Sequence, residues 1–306
     1  KGEPISYSDP VRRTTMFKKT ALVAGIGLAL SVTAQADYRW EVGAGYAAGN
    51  FDYETKNPQT VDDDNDTDVI NAYGTWYMEN VDTSKGPLGE AAFLDHASSI
   101  TISGSDGEVD ISNADDEDGQ NYGVDMRYVA EGPGWKLSGV IVDVGFERQE
   151  PGDAEIDVWN VGLGYYLTPN TTLVLGWRND NINNGGDVDS WGADIEHFFA
   201  FNNGGLKARL NGGKTVVSNL DDPTTWGIGA TWYIGNNWGI AADYGSDDIN
   251  GFEVDRYSLG VEWFITENFA VELAGEVVQP DDINLGGGQK LETEYDEIGI
   301  SALYRF

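Results

Sequence analysis

The chain has no cysteine, little proline and few bases: Cys 0, Pro 9 and Lys+Arg 18 in 306 residues. The absence of cysteine rules out a disulfide framework, although it is ordinary in exported proteins. The shortage of bases against Asp+Glu 52 leaves a formal net charge of -34. A surface of that sign repels nucleic acid and disfavours anionic partners. A mean hydropathy of -0.38 argues against a helical membrane protein. What is plentiful is Gly 40, Tyr 15 and Trp 10, a composition suited to glycine-punctuated strands with aromatic ends. Such strands can cross a membrane at this average polarity, because only every second residue faces lipid. Length alone leaves one large β domain or two smaller ones open.

From Met16 the chain reads as a secretory signal: Lys18 and Lys19, an apolar stretch from Ala21 to Val32, then small residues ending at Ala34-Gln35-Ala36. The apolar stretch is about a dozen residues, against the roughly 20 that a spanning helix needs. No cysteine follows it, so a lipid-anchored product is not expected. The chain therefore divides into an upstream extension (1–15) outside the mature protein, a cleavable signal peptide (16–36) and one β domain (37–306).

Beyond Asp37 the sequence runs in segments of about ten to fourteen residues with period-two patterning, and no long helical period appears. About fourteen such segments can be placed, within a range of 12–16, among them 38–50, 69–78, 91–103, 120–131 and 292–306. Their connections alternate. Gly132-Pro133-Gly134, Thr168-Pro169-Asn170, Asn202-Asn203-Gly204-Gly205, Asn236-Asn237 and Thr266-Glu267-Asn268 read as tight turns. The other set is acidic and mostly longer, as at 54–68, 104–119 and 281–291. Turns on one side and loops on the other predict an all-β, antiparallel, up-and-down transmembrane barrel with both termini on the turn side. The least regular stretch is 79–119, where a short Val109 to Ser112 segment could add a hairpin. Trp40, Trp76, Trp135, Tyr165, Phe199, Trp232, Trp238, Trp263, Phe269 and Tyr304 all fall beside the short turns and predict one aromatic girdle.

The closing strand sets Ile298, Ile300, Ala302, Tyr304 and the terminal Phe306 on one face. This pattern resembles the C-terminal assembly signal of bacterial outer-membrane proteins, with Ile300, Ala302, Tyr304 and Phe306 carrying it. Together with the export signal and the glycine-rich aromatic strands, residues 37–306 resemble the general bacterial porins of Gram-negative outer membranes. The chain departs from the trimeric porins in having no recognisable inward-folded constriction-loop motif. The resemblance implies a cell outer membrane location, contact with outer-membrane lipid and lipopolysaccharide, handling by the barrel assembly machinery, and passage of small polar solutes.

If the apolar positions face lipid, the alternate positions face the lumen. On strand 224–235, Trp226, Ile228, Ala230, Trp232 and Ile234 then point outward, and Gly227, Gly229 and Thr231 inward. The same parity gives the pore-lining candidates. In the first half of the chain these are Arg39, Glu41, Asp125, Arg127, Asp143 and Glu147. In the second half they are Arg178, Asp194, Glu196, Lys207, Arg209, Asp243, Arg256, Glu262, Glu272 and Glu276. A charge on the lipid face costs up to about 2–4 kcal/mol at the midplane, so this surface is expected to be wet. A barrel of this size is too wide for its own wall side chains to fill. Only Asp37 and Tyr38 lie between the cleavage site and the first strand, so neither a plug nor an N-terminal hatch is expected and the passage is read as open.

Other motifs carry less. Asp62, Asp64, Asp66 and Asp68 have the spacing of a calcium loop, but Thr67 and Tyr73 stand where its glycine and closing glutamate belong. The run Asp115, Asp116, Glu117 and Asp118 reads as a solvated acidic loop. No metal site and no cofactor are expected. A lipid- or peptide-directed outer-membrane hydrolase is the main alternative, and it would have to use His96, in His96-Ala97-Ser98, or His197. An adhesion or purely structural barrel is a third possibility, disfavoured by a large lumen and short loops. The function expected is a water-filled channel for passive diffusion of ions and small polar solutes, with a modest cation preference and no enzymatic activity.

Overall fold

The computed structural model describes residues 37–56, 61–110, 117–130, 138–152, 154–183, 185–216, 222–249, 251–286 and 289–306. The signal segment, Asp115 and Asp116, the turn Gly132-Pro133-Gly134 and Trp135 lie outside them. Alternating residues with glycine at intervals form extended strands: β1 (Tyr38–Lys56), β2 (Val61–Val81), β3 (Ser99–Asp110), β4 (Glu117–Val129), β5 (Val140–Pro151), β6 (Ile156–Thr168) and β7 (Thr171–Ile182). The second half continues with β8 (Gly186–Phe201), β9 (Gly204–Val216), β10 (Thr224–Ile234), β11 (Trp238–Ile249), β12 (Phe252–Thr266), β13 (Phe269–Pro280), a short β14 (Ile283–Gly286) and β15 (Gln289–Arg305).

The strands β1 to β13 each pair antiparallel with the next, β13 pairs with β15 and β15 with β1, so the sheet closes into a 14-stranded up-and-down barrel in which the short β14 pairs only with the start of β15. Closure leaves no unpaired edge in the wall, which the hydrocarbon core requires. Even the shortest wall strand, β10, has 11 residues, enough for a tilted crossing of roughly 9–11.

The hairpin turns form where the sequence places them, at Asn202-Asn203 between β8 and β9 and at Asn236-Asn237 between β10 and β11. Gly204, at φ +117, has no room for a Cβ against the Tyr233 carbonyl, so glycine is required at this turn. The acidic connections differ from expectation. Most of 54–68, read as a loop, is strand: β1 and β2 run 19 and 21 residues and stay paired as far as Thr55 and Val61. Likewise β3 and β4 extend to Asp110 and from Glu117, shortening the expected 104–119 loop.

The larger correction is at 79–98. The expected strand 91–103 begins only at Ser99. Before it come two 3-10 turns, Thr83–Lys85 and Leu88–Glu90, and a single helical turn α1 (Ala91–Leu94). The first turn is capped by Asp82, whose carboxylate accepts from the Ser84 N–H.

Apolar burial is inverted relative to a soluble protein. Leu163, Leu175, Ile228, Leu259 and Ile298 all stand exposed on the outer wall, Leu259 at 68%, as lipid-facing residues must. At the turn end Trp238 stacks on Trp263 at 5.1 Å, and Trp40 lies 6.3 Å from Trp76 and 6.5 Å from Phe306, which builds the expected girdle. The buried apolar clusters instead gather around 82–98.

Candidate functional site: a charged lumen crossed by an inward-folded segment

The register sets like residues beside one another across the wall. Outward Val161, Trp177 and Trp191 pair across strands with one another, and so do inward Gly162, Gly176, Gly192 and Gly213. That glycine row leaves one level of the inner wall of β6–β9 without side chains and borders a recess of about 980 Å³. Elsewhere, lumenal side chains lie flat over a neighbouring strand's glycine: Asp243 over Gly229, Asp125 over Gly145. This keeps these two charges against the wall.

The lumenal charges form ion pairs, three of them across strands and one, Arg178–Asp180, along β7. Arg127 donates from Nε and Nη2 to the two Asp143 oxygens at 2.8 and 2.9 Å. Arg209 pairs with Asp194 at 2.6 Å and lies 3.9 Å from Glu196; Arg178 pairs with Asp180 at 2.7 Å, and Arg256 with Asp247. Glu147 accepts from Gln149 at 2.9 Å, Glu272 from the Ser301 hydroxyl at 3.3 Å and Asp243 from the Ser258 hydroxyl at 3.4 Å. Glu276 sits directly opposite Glu297, a pairing of like charges that is tolerable only in contact with water. The expectation for Arg39 is corrected. A register shift between Tyr38 and Trp40 breaks the alternation at Arg39, whose guanidinium lies over the Trp76 ring at the rim, 5.5 Å from its centroid.

The expectation of an unobstructed passage is corrected too. Residues 82–98 touch strands on every side of the closed wall, which places the segment inside the barrel and across its turn end. Ala91 packs with Tyr38 and Tyr77 on β1 and β2; Phe93 packs against Val129, Ile141 and Tyr166 on β4, β5 and β6. Leu94 meets Phe198 and Tyr233 on β8 and β10, and Leu88 meets Phe264, Ala270 and Leu303 on β12, β13 and β15.

Polar contacts fasten it further. The Leu88 N–H donates to the Asn236 carbonyl at 2.9 Å and the Tyr166 hydroxyl to the Phe93 carbonyl at 3.0 Å. Arg305, 5% exposed, donates to the Leu88 carbonyl and to Glu41, each at 2.7 Å; Glu41 also accepts from the Tyr73 hydroxyl at 3.0 Å. Glu90, 4% exposed, accepts from the Tyr233 hydroxyl at 2.6 Å and lies 3.2 Å from the Lys207 ammonium. Burial pushes the Glu90 carboxyl above the usual range, with Lys207 and the Tyr233 hydroxyl pulling it back down.

Of the residues predicted from sequence, Glu41, Glu196, Lys207 and Glu262 converge on this segment; Glu262 lies against Gly89 and leaves no space for a Cβ there. Arg127, Asp143, Arg178, Asp194, Arg209, Asp243 and Arg256 belong to the open part of the lumen. Glu90, Arg305 and Tyr233 were missed. The signal for Glu90 was the run Gly86-Pro87-Leu88-Gly89-Glu90-Ala91-Ala92-Phe93-Leu94, in which proline and then four helix-compatible apolar residues break the period-two pattern.

The two histidines are taken up structurally. His96, at φ 55, bonds through Nε2 to the Pro169 carbonyl at 2.9 Å, and Ser98 accepts from the Val129 N–H at 2.9 Å, so the two residues serve different partners. His197 sits in the girdle, 2.7 Å from the Thr171 hydroxyl and edge-on to Phe199. Among the described residues there is no group of His, Cys, Asp and Glu that could hold a metal.

A closed antiparallel barrel with a lipid-facing apolar band, a turn-side girdle and a charged interior is an outer-membrane β-barrel. The family described as "Putative general bacterial porin" matches residues 29–204, and the chain belongs to it. Its place is the cell outer membrane. No curated protein matches the chain. Among solved structures it is similar to the Acinetobacter baumannii outer membrane protein Omp33, at 18% identity over 89% of this chain and 100% of that one, with a TM-score of 0.57. More distant matches are the Pseudomonas putida toluene transporter TodX (11% identity, 88% and 90% covered, TM-score 0.44) and a Pseudomonas aeruginosa FadL homologue (9%, 88% and 90%, 0.43).

Proposed function

We propose that the protein is a non-enzymatic channel for passive diffusion of ions and small polar solutes, with a modest preference for cations, and that residues 82–98 close or narrow its periplasmic end. The observation that carries this reading is the pairing of a wet, charged lumen with a segment that spans it and is held by side chains rather than by sheet bonds. Backbone pairing fixes the wall, whereas the segment is retained by a few apolar contacts and hydrogen bonds that can be exchanged for water.

The cation preference follows from the lining. Acids outnumber bases about two to one among the inward candidates, and most bases are neutralised by a partner carboxylate. It is modest because a wide pore keeps its water and salt, which screen the wall within about 8–10 Å. Export and processing belong to the same proposal: the signal at 16–36 leaves a mature chain beginning at Asp37.

The test is single-channel recording of the refolded protein in a planar bilayer under a salt gradient. A conducting, weakly cation-selective channel with frequent closures supports the reading. A barrel that carries no ionic current, or one selective for anions, counts against it.

A further inference from the structure

The inward-folded segment buries one carboxylate, Glu90, against the wall. The Glu90 oxygens meet Tyr233 from β10 at 2.6 Å and Lys207 from β9 at 3.2 Å, and Lys207 lies 3.5 Å from Glu196 of β8. On the β12 side, Glu262 lies against Gly89, the residue next to Glu90. The guanidinium of Arg305 on β15, which holds the neighbouring Leu88 carbonyl, is bonded to Glu41 of β1, and Arg209 lies 3.9 Å from Glu196 while paired with Asp194. Glu90 and Glu196 thus share one ammonium, and Glu262 stands beside Gly89, so docking brings Glu90 to two carboxylates of the fixed wall. Docking Glu90 adds negative charge where negative charge is already in excess.

We propose that Glu90 is a proton-operated latch: taking up a proton holds residues 82–98 against the wall, and losing it loosens them. The proposal rests on the reading of this segment as the barrier at the periplasmic end.

The neutral acid still accepts from the Tyr233 hydroxyl through its carbonyl oxygen, and Lys207 is released to Glu196, so protonation relieves the excess charge without breaking the dock. The sign follows from linkage. Undocked, Glu90 is an ordinary solvated carboxyl; docked, burial raises it. The docked state therefore binds the proton more tightly, and its share grows as pH falls from the raised value toward the ordinary one. Above the raised value there is no further change. Each unit of the rise corresponds to about a tenfold change in the ratio of docked to undocked states. Acid closes the channel and neutral pH favours opening.

The test uses the refolded full-length barrel in planar bilayers, with closed-to-open occupancy read at pH 8 and pH 5 in the same symmetric salt. The wild type should spend a larger share of its time closed at pH 5 than at pH 8. Glu90→Gln, which mimics the neutral acid and keeps the Tyr233 bond, should stay mostly closed at both pH values. Lys207→Met removes the cation that opposes protonation and should shift the closing midpoint upward. A wild-type response retained in Glu90→Gln, or opening rather than closing in acid, overturns the latch. A third protein, lacking residues 83–97, separates the two levels of the argument. If its conductance and closures equal those of the wild type, the segment is not the barrier and the underlying reading fails. If its closures vanish while Glu90→Gln responds as the wild type does, only the latch fails.

Discussion

Arg305 sits one residue from the end of the chain in a strand otherwise built for lipid contact, and it is 5% exposed. It bonds Glu41 across the closing seam and the Leu88 carbonyl of the inward segment, with its guanidinium between the rings of Tyr38 and Phe264 at 4.6 and 4.7 Å. Removing one partner of a buried, hydrogen-bonded pair leaves the other charge stranded at a cost of about 3–5 kcal/mol. Arg305→Ala should therefore lower the midpoint of heat-induced barrel unfolding on gels, and the double variant Arg305→Ala with Glu41→Gln should recover part of the loss. A single variant as stable as the wild type would mean that the pair contributes nothing. Selectivity belongs to the same scale. Glu262→Gln together with Glu272→Gln should move the reversal potential toward zero at low salt, and Asp63→Asn with Asp64→Asn, far out on the β1–β2 hairpin, should do less. Equal shifts would locate the selectivity at the surface instead of in the lumen.

Among the elements, β15 has the most specific task, because it closes the ring. Phe306 donates its N–H to the Trp40 carbonyl at 2.9 Å, accepts from the Arg39 and Trp40 N–H groups, and stacks on Trp40. Deleting Phe306 should reduce the heat-modifiable form in the outer membrane while leaving the protein exported; undiminished heat-modifiable barrel would contradict this. The strand was legible because its alternation is strict from Ile298 to Tyr304. The inward candidates from Glu41 to Glu276 rest on the same alternation, since one flip of parity separates lipid from water. Arg39 was misplaced because a register shift breaks the alternation without leaving a compositional trace. The long hairpin of β1 and β2 was hidden by Asp62 to Asp68, acids that look like a loop yet stay in register with Asp52 and Glu54. The inward segment was hidden for a different reason. Its partners, from Tyr38 to Arg305, are spread along the whole chain, so only closure of the barrel brings them together.

For the whole molecule, the wall and its contents have different kinds of stability. Cross-strand hydrogen bonds hold the wall continuously around the ring, including the β1–β15 seam, and lipid keeps water from competing for them. Residues 82–98 are held by four small apolar clusters and a handful of polar contacts. A conducting path thus requires the segment to move or the solute to slip past it, while the barrel itself stays intact. The most direct measurement is the single-channel conductance of the refolded wild type beside a variant in which residues 83–97 are replaced by a short glycine-serine turn. The account predicts a larger and steadier conductance in the variant, with the weak cation preference retained because the lumenal charges are untouched. Identical conductance and closures in the two proteins would contradict it.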